Sequence, residues 1–177
     1  FWAIAEDNHE AFDKIIDKGG DINYKFTPLS IGTELENITP LFLALSTQGR
    51  EKYTEKLIKL GANIHEKSKL NNELITPFQV AIINGNAAIV ELFLEKGADP
   101  NELVTENEVP VFFQAIVNKN LSILKLLINK GANVNLKITS GKNAIFWAVE
   151  SQNSEIVRLL LEQRIYLLDQ TFQGISV

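Results

Sequence analysis

Apolar residues recur at helical spacing in four stretches of the chain. These are Leu57 and Ile58; Val90, Phe93 and Leu94; Ile123, Leu124, Leu127 and Ile128; and Ile156, Val157, Leu160 and Leu161. A stripe of this period predicts an amphipathic helix that buries one face. Glycine-led closes follow the first three: Gly61-Ala62-Asn63-Ile64-His65, Gly97-Ala98-Asp99-Pro100-Asn101 and Gly131-Ala132-Asn133-Val134-Asn135. An earlier copy stands at Gly19-Gly20-Asp21-Ile22-Asn23. Glycine at a helix end supplies the left-handed conformation that other residues reach only at a cost. Ahead of the stripes lies a second set of apolar runs: Thr39-Pro40-Leu41-Phe42-Leu43, Thr76-Pro77-Phe78-Gln79-Val80, Pro110-Val111-Phe112-Phe113-Gln114 and Asn143-Ala144-Ile145-Phe146-Trp147. An alanine comes next each time, at Ala44, Ala81, Ala115 and Ala148, with Ala3 in the same place before the first close. Thr39 and Thr76 predict N-caps, and Pro40 and Pro77 sit where a first-turn proline forfeits no hydrogen bond. The alanine predicts close approach of two helices.

From Gly19 to Gly61, Gly97, Gly131 and Arg164, which fills the fifth glycine slot, the spacings are 42, 36, 34 and 33. The connecting segments account for nearly all of the drift. From Asn23 to Thr39, His65 to Thr76, Asn101 to Pro110 and Asn135 to Asn143 they are 16, 11, 9 and 8 residues. An inserted turn residue near Gln48-Gly49 supplies the rest. A constant unit with varying connections is the signature of a repeat array.

These openings, alanines and closes resemble the ankyrin repeat, whose signature is Thr-Pro-Leu-His, a following Ala, and Gly-Ala-Asp-Val-Asn. The likeness runs from Phe1 to about Glu162. It implies an all-α fold, a solenoid of stacked antiparallel helix pairs with projecting hairpin-like fingers. It places one domain over 1–177, with repeats near 1–23, 39–65, 76–101, 110–135 and 143–168 and a long finger at 24–38. Gly174-Ile175-Ser176 parallels Gly141-Lys142-Asn143, so a sixth repeat beginning near 174 is expected, the alternative being a tail over 165–177 that caps the array. The family's His is replaced by Phe42, Gln79, Phe113 and Phe146, so aromatic packing is expected at the junctions.

Composition narrows the chemistry. The net charge is −5, with the lysines interleaved among carboxylates, and this argues against a nucleic-acid partner. The absence of cysteine removes disulfides, thiolate metal sites and a thiol nucleophile, and fits a reducing compartment such as the cytoplasm. No apolar run approaches the roughly 18 residues of a membrane span. The two histidines fall apart, His9 in a polar inter-helix turn and His65 in a loop. Glu102, Glu106 and Glu108 lack the order of a calcium loop and read as a solvated finger. No enzyme activity, metal or cofactor is expected. Phe1 as first residue and the lack of methionine read as a segment of a longer chain. Abundant Ile, Asn and Lys suggest an AT-rich genome. In such genomes repeats of this type often resemble proteins that host-associated bacteria secrete into a host cytosol.

The resemblance implies a binding module for another protein, acting through the concave face and fingers. The alternative is a regulatory or substrate-docking segment of an enzyme whose catalytic domain lies elsewhere. A monomer is expected. Carried over slot by slot, the residue before each alanine is Trp2, Leu43, Val80, Gln114 or Trp147, and one turn on come Glu6, Thr47, Asn84, Asn118 and Ser151. Trp147 is singled out because tryptophan is enriched where interfaces bind most strongly. In the long finger, Tyr24, Phe26, Leu29, Ile31 and Leu35 are too apolar for an idle loop. They either fold back on the repeats or form part of the recognition surface.

Overall fold

The computed structural model describes residues 1–27, 35–71, 73–104, 108–138 and 141–163. Among them are ten helices that pack as five consecutive pairs. These are α1 (Trp2–Ala5) with α2 (His9–Asp17), α3 (Pro40–Ser46) with α4 (Glu51–Lys59), α5 (Pro77–Asn84) with α6 (Ala87–Glu95), α7 (Phe112–Val117) with α8 (Leu121–Asn129), and α9 (Ala144–Glu150) with α10 (Ser154–Glu162). Each first helix packs on the next from α1 to α9, and among the second helices α4 packs on α6 and α6 on α8. The expected sixth repeat near 174 lies outside the described residues.

The local chemistry explains why these segments are helical. Thr39 Oγ1 accepts the Phe42 amide at 3.1 Å and Thr76 Oγ1 the Gln79 amide at 3.1 Å, each closing an N-terminus whose first residue is proline. Asn143 does the same for Phe146. The second helices start on asparagine: Asn8, Asn86, Asn120 and Asn153 each accept an amide three residues on. The exception is α4, whose first flanking residue is Arg50 and which has no side-chain cap.

The repeated alanines are all essentially inaccessible, which lets each first helix lie close against its partner. At the glycine slots φ is +79° for Gly19, +90° for Gly61, +93° for Gly97 and +98° for Gly131. The residue after each glycine donates back into the helix, as Ala62 does to Leu57 at 2.9 Å. In each close the Asp or Asn side chain then accepts the amide two residues on, which sets the turn into the finger. Gly20 stands where the other units have alanine, because an added Cβ would meet Ile15 Cγ2 at 2.5 Å. At the family's His slots Phe42 and Phe113 are buried as expected, and Gln79 is buried with its Oε1 unpartnered.

The fold is not purely α. Strands β1 (Leu35–Glu36), β2 (Ser68–Leu70) and β3 (Glu73–Ile75) form an antiparallel sheet, and β4 (Leu103–Val104) pairs with β5 (Val109–Pro110). The register Leu35↔Leu70 and Glu36↔Lys69 joins the first finger to the second. The Lys69–Glu36 ion pair at 2.9 Å crosses that seam, and buried Ser68 donates its hydroxyl to the Asn37 carbonyl at 3.0 Å. Adjacent fingers pair because their backbone groups otherwise lack protein partners. Strands of two or three residues are too short for an alternating pattern to announce them.

Candidate partner-binding surface

Residues at i, i+3 and i+4 share one helix face, so each first helix from α3 to α9 presents a triplet. These are Leu43, Ser46 and Thr47 on α3; Val80, Ile83 and Asn84 on α5; Gln114, Val117 and Asn118 on α7; and Trp147, Glu150 and Ser151 on α9. Leu43, Gln114 and Trp147 are half-buried, as are Thr47 and Ser151, while Asn84 and Asn118 are exposed. Val80 is only 7% exposed. It is therefore withdrawn as a contact residue, because packing between neighbouring repeats already covers it. The triplets also contain two residues that the slot-by-slot reading passed over: Ile83, 41% exposed, and Val117, 48% exposed. Their helical offset from the chosen slot was the signal available in the sequence.

The polar members of the row are partly engaged within the chain. Asn84 Nδ2 donates to the Leu45 carbonyl at 2.7 Å and Asn118 Nδ2 to the Ile83 carbonyl at 3.4 Å, so each closes the C-terminal turn of the preceding first helix. Thr47 Oγ1 bonds the Leu43 carbonyl and Ser151 Oγ the Ala148 carbonyl in their own helices. Trp147 meets the edge of Phe113, centroids 6.2 Å apart, and Lys142 Nζ stands 5.7 Å from its ring centroid. Its indole nitrogen is buried without a partner, so the ring offers a partner its open edge and not its N–H.

In the first finger, Tyr24 and Phe26 lean on Phe1, at centroid distances of 6.0 and 5.4 Å, yet both remain exposed. Each ring packs on Phe1 while part of it faces solvent. Phe26 and Ile38 exchange two backbone hydrogen bonds at the finger's base. Leu29 and Ile31 lie outside the described residues. Leu70, Leu74 and Leu103 on the next two fingers are also exposed, which the sequence reading missed. Trp2 is 62% exposed at the array's first edge.

His9 is the first residue of α2, not part of the turn before it, and stacks on buried Tyr53 at 4.3 Å. Glu102 is half-buried instead of solvated. Burial raises its carboxyl above the usual value, Lys67 and His65 pull it down, and Asp99 pushes it further up. Among the described residues no group of three or more His, Cys, Asp or Glu is placed to hold a metal ion, and no helix is long and apolar enough to cross a membrane.

A family model described as ankyrin repeats (3 copies) matches residues 1–104 and again 102–171. No curated protein matches the chain.

Proposed function

The chain belongs to the ankyrin-repeat family, whose members are generally protein–protein interaction modules, and on that premise we propose that it holds a partner protein along the first-helix row and the fingers. The observation that carries this reading is the pair Ile83 and Val117. They are exposed apolar side chains on adjacent helices, bracketed by Gln114, Asn84 and Asn118. The Asn118–Ile83 hydrogen bond ties the two triplets into one surface. An apolar centre with a polar rim is the usual anatomy of such contacts. Leu43, Thr47, Trp147 and Ser151 extend the row to either side, and Tyr24, Phe26, Leu70, Leu74 and Leu103 extend it onto the fingers.

Ile83→Asp and Val117→Asp test the surface, because both side chains reach solvent and neither leaves a cavity. Partner capture by either variant, identified by mass spectrometry against the unsubstituted chain, is expected to fall at least about tenfold, the effect of losing a central contact. The melting temperature should stay within a few degrees. Undiminished capture by two folded variants overturns this placement.

A further inference from the structure

We infer that the groove between the second and third helix pairs is a slot for the guanidinium of an arginine on the partner protein. The proposal rests on the reading of the first-helix row as a partner surface, since Thr47 and Asn84 belong to both.

The chain itself shows how such a slot is filled. At the junction of the first and second pairs, Arg50 precedes α4 and reaches across to the C-terminal turn of α1. Its Nε donates to the Ile4 carbonyl at 2.7 Å and a terminal nitrogen donates to the Ala5 carbonyl at 2.9 Å, while the other lies 3.4 Å from Asp7. Guanidinium suits this task because its planar fork serves two acceptors and a carboxylate together.

One junction further, Leu45, Ser46 and Gln48 stand where Ile4, Ala5 and Asp7 stood, and Asn86 stands where Arg50 stood. Asn86 caps α6 through its Oδ1, and no hydrogen bond joins its Nδ2 to α3 among the described residues. Asn84 takes the Leu45 carbonyl, but the Ser46 carbonyl, counterpart of the Ala5 acceptor, receives no hydrogen bond from a described residue. The extra turn residue is Gly49, at φ +79°. What remains is a groove of about 350 Å³ lined by Ser46, Gln48, Glu51, Thr54, Asn84 and Asn86 among others. That is far more than one water fills. Its lining holds one carboxylate, Glu51, and no cation. The C-terminal ends of α3 and α5 and the N-terminal ends of α4 and α6 all meet here, so their partial charges oppose one another and Glu51 supplies the groove's formal charge. At the third junction the counterpart closes up, with Asn120 Nδ2 at 3.5 Å from the Gly85 carbonyl.

The test uses acetyl-arginine methylamide as probe, with the citrulline and lysine analogues beside it, on the isotope-labelled chain. Arginine should give saturable amide shifts at Thr47, Gln48, Glu51, Asn84 and Asn86 in about the millimolar range, the scale one side chain supplies. Citrulline and lysine should bind several-fold more weakly. Glu51→Gln should weaken arginine binding roughly three- to fivefold, as for a partly exposed ion pair. Asn86→Arg, which fills the slot from within, should abolish probe binding and weaken partner capture. Shifts elsewhere, equal binding of lysine or citrulline, or indifference to both variants overturns the slot. If Ile83→Asp abolishes capture while Asn86→Arg leaves probe and capture untouched, the row stands and the slot falls. If Asn86→Arg blocks the probe while Ile83→Asp and Val117→Asp change nothing, the slot stands and the row falls.

Discussion

Glu102 sits half-buried where the second finger meets the third, and its raised carboxyl makes stability depend on pH. Folded Glu102 keeps its proton to a higher pH than the unfolded chain does. Stability from this group is therefore undiminished below its ordinary value of 4.5, falls as pH rises from there through the raised value, and stays reduced above. Glu102→Gln should accordingly melt higher than the parent at pH 7, with the gain closing below the ordinary value. A gain that persists in acid, or none at pH 7, contradicts the burial account. The charge, but not the burial, was legible in the sequence, because burial depends on how two fingers approach. Thr39 and Thr76 are the opposite case. A cap acts within three residues, so the sequence alone located both. Val80 was misjudged for the same reason as Glu102: its place on a first helix was legible, while its burial depends on packing that sequence spacing does not disclose.

Helix pairs follow from period and punctuation, and all five are found where the apolar runs, alanines and glycines imply. The seam between β1 and β2 was not legible, since it is a contact between distant segments and not a local preference, and the local pairs β2–β3 and β4–β5 are too short for an alternating pattern. Arg50 is a further element-level feature that spacing could not disclose. It gives up the asparagine cap that four other second helices have and instead holds the end of α1, a helix of four residues. A helix that short has little stability of its own. Arg50→Met keeps the stem and removes the guanidinium, and should cost roughly 2 kcal/mol in urea unfolding, the scale of hydrogen bonds from a charged donor. Amide exchange should accelerate selectively at Asn8 and its neighbours in the first pair. Uniform acceleration across all five pairs would show that Arg50 supports the array and not the end of α1.

At the scale of the whole molecule, stability in a repeat array is a sum of unit terms and nearest-neighbour terms, so unequal junctions matter. The finger-side rung shows the inequality. Asn23 Oδ1 accepts the Asn63 amide at 2.7 Å, and Asn101 Oδ1 accepts the Asn133 amide at 2.7 Å, each tying one close to the next. His65 holds that slot between the second and third units, and no hydrogen bond joins it to Asp99 among the described residues. The same junction carries the open groove at its other end. It thus lacks the rung that both neighbours have, and Asn84 on the Leu45 carbonyl is the side-chain hydrogen bond that ties its groove end among the described residues. Asn23→Ala and Asn101→Ala should each cost about 0.5–1 kcal/mol, the net worth of an exposed hydrogen bond. His65→Ala should cost nothing measurable, and His65→Asn should add a similar amount by supplying the missing rung. Chemical denaturation of the four variants, compared at constant slope, decides the matter. If His65→Ala destabilises as much as the asparagine variants, the imidazole supports this junction in another way and the array is more even than its hydrogen bonds imply. If His65→Asn stabilises and also sharpens the transition, the second junction is where the parent array parts first. The groove lies at that same junction, so an arginine seated there would then tie the weakest joint of the array.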